Sequence, residues 1–141
     1  MITPSDVING KPVRGQGVCG VVAVANVTGL KPQTVFNRYR CPFDRPRWRG
    51  ALHNYELLEL MNRLCVGYVE QTFERCTLQR FIDWYAAKGA TYIVNTTGHY
   101  VVVKGGKVYD QGGEAEVSEH FCRRRNVKRA WKITAKRRAR K

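Results

Sequence analysis

The feature that most constrains the fold is a change of pattern near residue 90. Three short runs, 91–96, 100–104 and 107–110, are rich in β-branched and aromatic residues, and only Gly105-Gly106 separates the last two. A Gly-Gly pair between two such runs predicts a two-residue hairpin turn, because both turn positions need positive φ. Upstream the spacing is helical. Over 54–64, Leu57, Leu58, Leu60, Met61 and Leu64 recur at helical intervals. Leu78, Phe81, Ile82 and Tyr85 do the same behind Thr77 as cap, with Gly89 as the expected stop. Helices first and antiparallel strands second make an α+β chain.

The remaining segments are read with the same rules. Residues 19–26 (CGVVAVAN) are short and apolar; Gly29 suits a helix end, while the valines suit a strand, and both readings stay open. A helix is predicted over 32–39, with Pro32 in its first turn. Two prolines assign 41–50 to a loop. Strands are expected over 66–73 and 127–134. The 141 residues are read as one domain, 1–134, with a basic tail, 135–141.

Charge is concentrated at the C-terminus. The net charge is +14, yet residues 123–141 hold eleven Lys and Arg and no acid, which leaves +3 on the rest. Such a run suits a polyanion, so Arg123, Arg124, Arg125, Lys128, Arg129, Lys136, Arg137, Arg138, Arg140 and Lys141 are candidate nucleic-acid contacts. A solubilising end is the alternative. Trp131 is expected to anchor the core rather than stack on a base. No apolar run approaches the roughly 20 residues of a membrane span, and the first residues do not resemble an export signal. A cytoplasmic, membrane-free protein is expected. The five cysteines are odd in number and irregular in spacing, with no CxxC pair, so neither a disulfide framework nor a metal site is expected. No cofactor is expected either.

Three residues carry candidate chemistry. Cys19 follows a glycine-rich turn; at a helix start the dipole and free N–H groups would favour its thiolate. Gly20 beside it would let a substrate backbone approach. His99 precedes a strand in a turn with Gly98, and imidazole is suited to take a thiol proton near neutral pH. Pairing Lys104 with Lys107 sets Asp110 opposite Val101, a diagonal neighbour of His99 on the same face, where a carboxylate can orient the imidazole. His53 is expected to be exposed at a helix start, and nothing in the sequence implies a partner for His120.

The segments GQGVCGVVAVANVTGL and TYIVNTTGHYVVVKGGKVYDQGG resemble papain-like cysteine peptidases. They look closest to the compact peptidase C39-like branch and to small phage-encoded proteins of similar layout. The resemblance implies a central Cys-bearing helix packed on a C-terminal antiparallel sheet, and a Cys19–His99–Asp110 triad. It also implies a protein or peptide substrate. By the same resemblance Gln16 would be the oxyanion-hole donor, although it stands only three residues before Cys19. Phage origin would place the chain in the host cytoplasm or among virion proteins. Two functions follow: a cysteine hydrolase acting on peptide or isopeptide bonds, or an idle fold that binds nucleic acid or virion proteins. A basic nucleic-acid-binding protein of unrelated fold is a third reading, and it predicts that Cys19 and His99 do not meet.

Overall fold

The computed structural model describes residues 6–14, 17–43 and 52–136. The described residues open with a small ribbon of β1 (Val7–Ile8) and β2 (Lys11–Pro12), followed by helices α1 (Cys19–Thr28), α2 (Pro32–Phe43) and α3 (Asn54–Arg63). Strand β3 (Val66–Glu70) and helix α4 (Leu78–Trp84) lead into β4 (Thr91–Thr96), β5 (His99–Lys104), β6 (Lys107–Asp110) and β7 (Gly113–Glu116). A 3₁₀ turn over Val117–Glu119 precedes β8 (Val127–Lys136). The six larger strands form one antiparallel sheet in the order β3-β8-β4-β5-β6-β7. The expected α+β class is what the chain adopts.

Helix α1 resolves the ambiguous valine-rich segment. Every residue from Gly20 to Thr28 is buried, so the helix is apolar all round, as suits an element enclosed by others. Its valines pack with Val35 and Phe36 of α2, Leu57, Leu60 and Met61 of α3, and Ile93, Val102 and Trp131 of the sheet. Burial against the sheet outweighs the modest helix penalty of β-branched residues. Gly29 closes α1 at φ 76°, its N–H bonded to the Ala25 carbonyl. On the other face of the sheet, Leu78, Phe81 and Ile82 of α4 cover Tyr92, Val94, Val101, Val103 and Val108.

Several boundaries differ from the sequence reading. Helix α2 runs on to Phe43, past Pro42 and into the segment expected to be loop. Helix α4 ends at Trp84, well before Gly89. Strand β3 stops at Glu70, and β8 continues to Lys136. Gly105 and Gly106 both have positive φ, 60° and 79°, and Lys104 pairs with Lys107 in the expected register. Trp131 is fully buried, which removes it as a base-stacking platform. No helix among the described residues is long and apolar enough to cross a membrane.

Candidate active site

Cys19 is the first residue of α1, where the opening N–H groups of a helix have no intrahelical acceptor. Its sulfur lies within hydrogen-bonding reach of the His99 ring and of the main-chain N–H groups of Tyr100 and Gly20. His99 opens β5 directly after Gly98, which has φ 74°. Its Nε2 is 3.0 Å from Asp110 Oδ2, leaving Nδ1 as the ring nitrogen for the thiol. Asp110 ends β6, and its other oxygen accepts the Gly112 N–H at 2.8 Å. The hairpin register therefore does bring His99 and Asp110 together, and the helix start adds Cys19.

The sequence gives no sign of the fourth member. His120 Nε2 is 2.7 Å from the same Asp110 oxygen. Its Nδ1 accepts the Cys122 N–H at 3.0 Å, so Nε2 carries the hydrogen and donates. A chain of turns holds the ring in place: His120 N–H to the Val117 carbonyl, Arg123 N–H to the His120 carbonyl, and Arg125 N–H to the Cys122 carbonyl. The same loop accepts from α4, through Leu78 N–H to the Arg125 carbonyl and Gln79 N–H to the Arg123 carbonyl. Phe121 is 64 % exposed and stacks on His120 at 4.6 Å between ring centroids.

The electrostatics follow from this chain. Side-chain exposures of His99, Asp110 and His120 are only 12 %, 6 % and 5 %, and burial opposes charge on His99 and Asp110. For Asp110 the donors from His120, His99 and Gly112 overcome burial and hold the carboxyl well below the usual carboxylate range. Burial alone would lower His99, but Asp110 and the Cys19 sulfur raise it to about 9. Burial alone would raise Cys19, yet the His99 ring and the Tyr100 and Gly20 N–H groups bring it below the ordinary thiol value. The opposite shifts favour a proton on His99 and a negative charge on sulfur.

Cys19 and His99 open onto a cavity of about 430 Å³, also lined by Leu52, Asn54, Asn95 and Tyr100. A second cavity of similar size lies beyond the His99 ring, bounded by Arg14, Gln111, Glu119 and Phe121. His99 is common to both walls.

Other expectations fare differently. Gly20 is buried, and a Cβ there would meet Leu52 and Tyr100, so its lack of a side chain serves packing around the nucleophile rather than access for substrate. Gln16 lies outside the described residues, as do Arg137, Arg138, Arg140 and Lys141, while Lys136 ends β8. Arg129 forms a two-point pair with Glu70, at 2.6 and 3.0 Å. Arg123 and Arg125 donate to the carbonyls of Ser118 and Thr97. Arg124 and Lys128 are exposed. Cys19, Cys65, Cys76 and Cys122 are all free thiols.

His99, Asp110 and His120 offer metal-ligand atoms within 4.8 Å of one another. The residue types suit a metal, but the hydrogen bonding does not. A ligating His120 Nε2 needs a lone pair, and the Cys122 N–H directed at Nδ1 leaves that nitrogen protonated instead. No protein-family model, curated protein or solved structure matches the chain.

Proposed function

We propose that the protein is a cysteine hydrolase of papain-like type, acting on peptide or isopeptide bonds. The observation that carries this reading is the convergence of the Cys19 sulfur on the His99 ring, which is itself 3.0 Å from Asp110, with the sulfur at a helix start beside a cavity. Each link has a chemical use. Asp110 fixes the imidazole through Nε2 and offsets its charge. His99 holds the thiol proton on the side facing sulfur. The thiolate is thus formed before substrate arrives.

In the first step the thiolate attacks the acyl carbon, an S–C bond forms, and the carbonyl π pair moves to oxygen. That oxygen then reforms the carbonyl, the C–N bond breaks, and His99 gives its proton to the departing amine. The product is a thioester on Cys19. In the second step His99, now neutral, takes a proton from water as hydroxide adds to the thioester carbon. Loss of the S–C bond frees the carboxylic acid and restores the thiolate–imidazolium pair.

Alkylation of each cysteine as a function of pH, read by mass spectrometry in the wild type and in His99→Ala, tests this. Cys19 should react first, well below pH 8, and lose that lead without His99. A Cys19 that behaves as an ordinary buried thiol in both proteins removes the catalytic reading.

A polyanion-binding role is favoured by one observation: Arg124, Arg125 and Lys128 are exposed within a stretch that contains no acid. Binding to a single-stranded oligonucleotide should then weaken steeply with salt, and Arg124→Ala with Lys128→Ala should flatten that dependence.

A further inference from the structure

Asn54 is the first residue of α3, facing the nucleophile across the cavity that both line. Its side-chain oxygen accepts two hydrogen bonds, from Asn95 Nδ2 at 2.8 Å and from the Tyr100 hydroxyl at 2.6 Å. An amide oxygen has two lone pairs, and both are used. Burial, and next the charge on Cys19, push the Tyr100 phenol upward, so it remains a donor. The amide therefore has one orientation. Its Nδ2 carries two N–H bonds and has no partner among the described residues.

The mounting is rigid. The His53 N–H donates to Glu56 Oε1 at 3.0 Å, and the Leu57 N–H to the His53 carbonyl at 2.9 Å, which fixes the first turn of α3. Asn95 and Tyr100 lie on adjacent strands and are paired in register. A donor held by three elements, with its hydrogens unspent beside a nucleophilic sulfur, has the properties required to stabilise a developing oxyanion.

We infer that the Asn54 side-chain amide is a catalytic hydrogen-bond donor, which binds the acyl oxygen of a substrate as Cys19 attacks the adjacent carbon. The main-chain N–H of Cys19, which has no intrahelical acceptor at the start of α1, is the second donor. The substrate class is then an acyl compound whose carbonyl enters between α1 and α3. Asn95 and Tyr100 are positioning residues that act through Asn54. The inference rests on the thiol-hydrolase reading above and adds to it the group that recognises the carbonyl.

Two reactions at the same sulfur separate the possibilities. Acylation by 4-nitrophenyl acetate passes through an oxyanion, whereas alkylation by iodoacetamide displaces iodide and develops no oxyanion. In Asn54→Ala, acylation of Cys19 should slow by about a hundredfold while alkylation keeps its wild-type rate and pH profile. Unchanged acylation overturns the inference, and so does an equal loss in both reactions, which would mark a structural role. Should Asn54→Ala not fold, Tyr100→Phe leaves α3 intact and removes one of the two hydrogen bonds that orient the amide, while Asn95 keeps the other. It should slow acylation alone, and wild-type acylation in that variant overturns the inference. Wild-type protein that alkylates at Cys19 but never acylates overturns the hydrolase reading itself, a result distinct from failure at Asn54.

Discussion

His120 lies 2.7 Å from Asp110 Oδ2, closer than the 3.0 Å of His99, the residue that the carboxylate orients. One oxygen thus serves two imidazoles, and the second oxygen is held by the Gly112 N–H. A buried carboxylate with three donors has little freedom to turn away from His99. Replacing His120 by Ala leaves a buried charged acceptor short of a donor, at a cost of about 1–3 kcal/mol. Denaturant unfolding of His120→Ala should show that loss. A stability equal to wild type would mean that water replaces His120 without penalty.

If Cys19 and His99 carry acyl transfer as proposed, the two ends of their thiolate–imidazolium pair set its pH range. The rising limb belongs to Cys19, below the ordinary thiol value, and the falling limb to His99 at about 9. Above that pH the thiolate persists, but the proton for the leaving amine is gone. Peptide hydrolysis should therefore decline near pH 9 while iodoacetamide alkylation does not. Parallel pH profiles for the two reactions would show that His99 is not the acid.

Asp110 makes stability depend on acid. Its carboxyl is held low in the folded protein, so the stabilisation is present above the unfolded value of about 3.9 and is lost as pH falls below it. Asp110→Asn should be less stable than wild type by about 2–3 kcal/mol at neutral pH, because charge-assisted bonds from two histidines become neutral. The gap should narrow below about pH 4. Thermal melts of the two proteins across that range measure it, and a constant gap would exclude Asp110 as the titrating group.

The four free thiols described here differ enough to be ranked. Cys65 is exposed, Cys76 and Cys122 are buried, and burial pushes both of the latter above the ordinary thiol value. At neutral pH, iodoacetamide should modify Cys19 first, Cys65 next, and Cys76 and Cys122 last. Peptide mapping after brief exposure gives the order. Labelling of Cys65 ahead of Cys19 would mean that exposure outweighs activation at this site.

Local signals account for what the sequence makes legible. The Gly105-Gly106 turn sets the β5–β6 register, and that register alone puts His99 and Asp110 on one face. The apolar spacing of α3 and the Thr77 cap of α4, whose hydroxyl accepts the Arg80 N–H, are equally local. The missing parts depend on distant packing. His120 reaches Asp110 because residues 117–125 fold onto the start of α4, an arrangement without a periodic signature. Asn54 and Asn95 meet across 41 residues of chain. Helix α1 is ambiguous in the sequence because its identity comes from enclosure on all sides, and short apolar runs do not reveal enclosure.

Enclosure also predicts the effect of a single methyl group. A Cβ at position 20 would sit 3.1 Å from Leu52 Cδ1, 3.3 Å from Leu52 Cβ and 3.4 Å from Tyr100 Cδ2. The Leu52 tip can yield by a rotamer change, but its Cβ moves only with the backbone. Gly20→Ala should therefore cost about 1–3 kcal/mol as an overpacked core site, offset in part by the better helix propensity of alanine, about 1 kcal/mol. The displacement bears on Tyr100, whose main-chain N–H faces the Cys19 sulfur and whose hydroxyl holds Asn54. Cys19 alkylation should accordingly shift to higher pH in Gly20→Ala, together with the drop in melting temperature. Loss of stability with an unchanged alkylation profile would show that the packing around Gly20 and the activation of the thiol are independent.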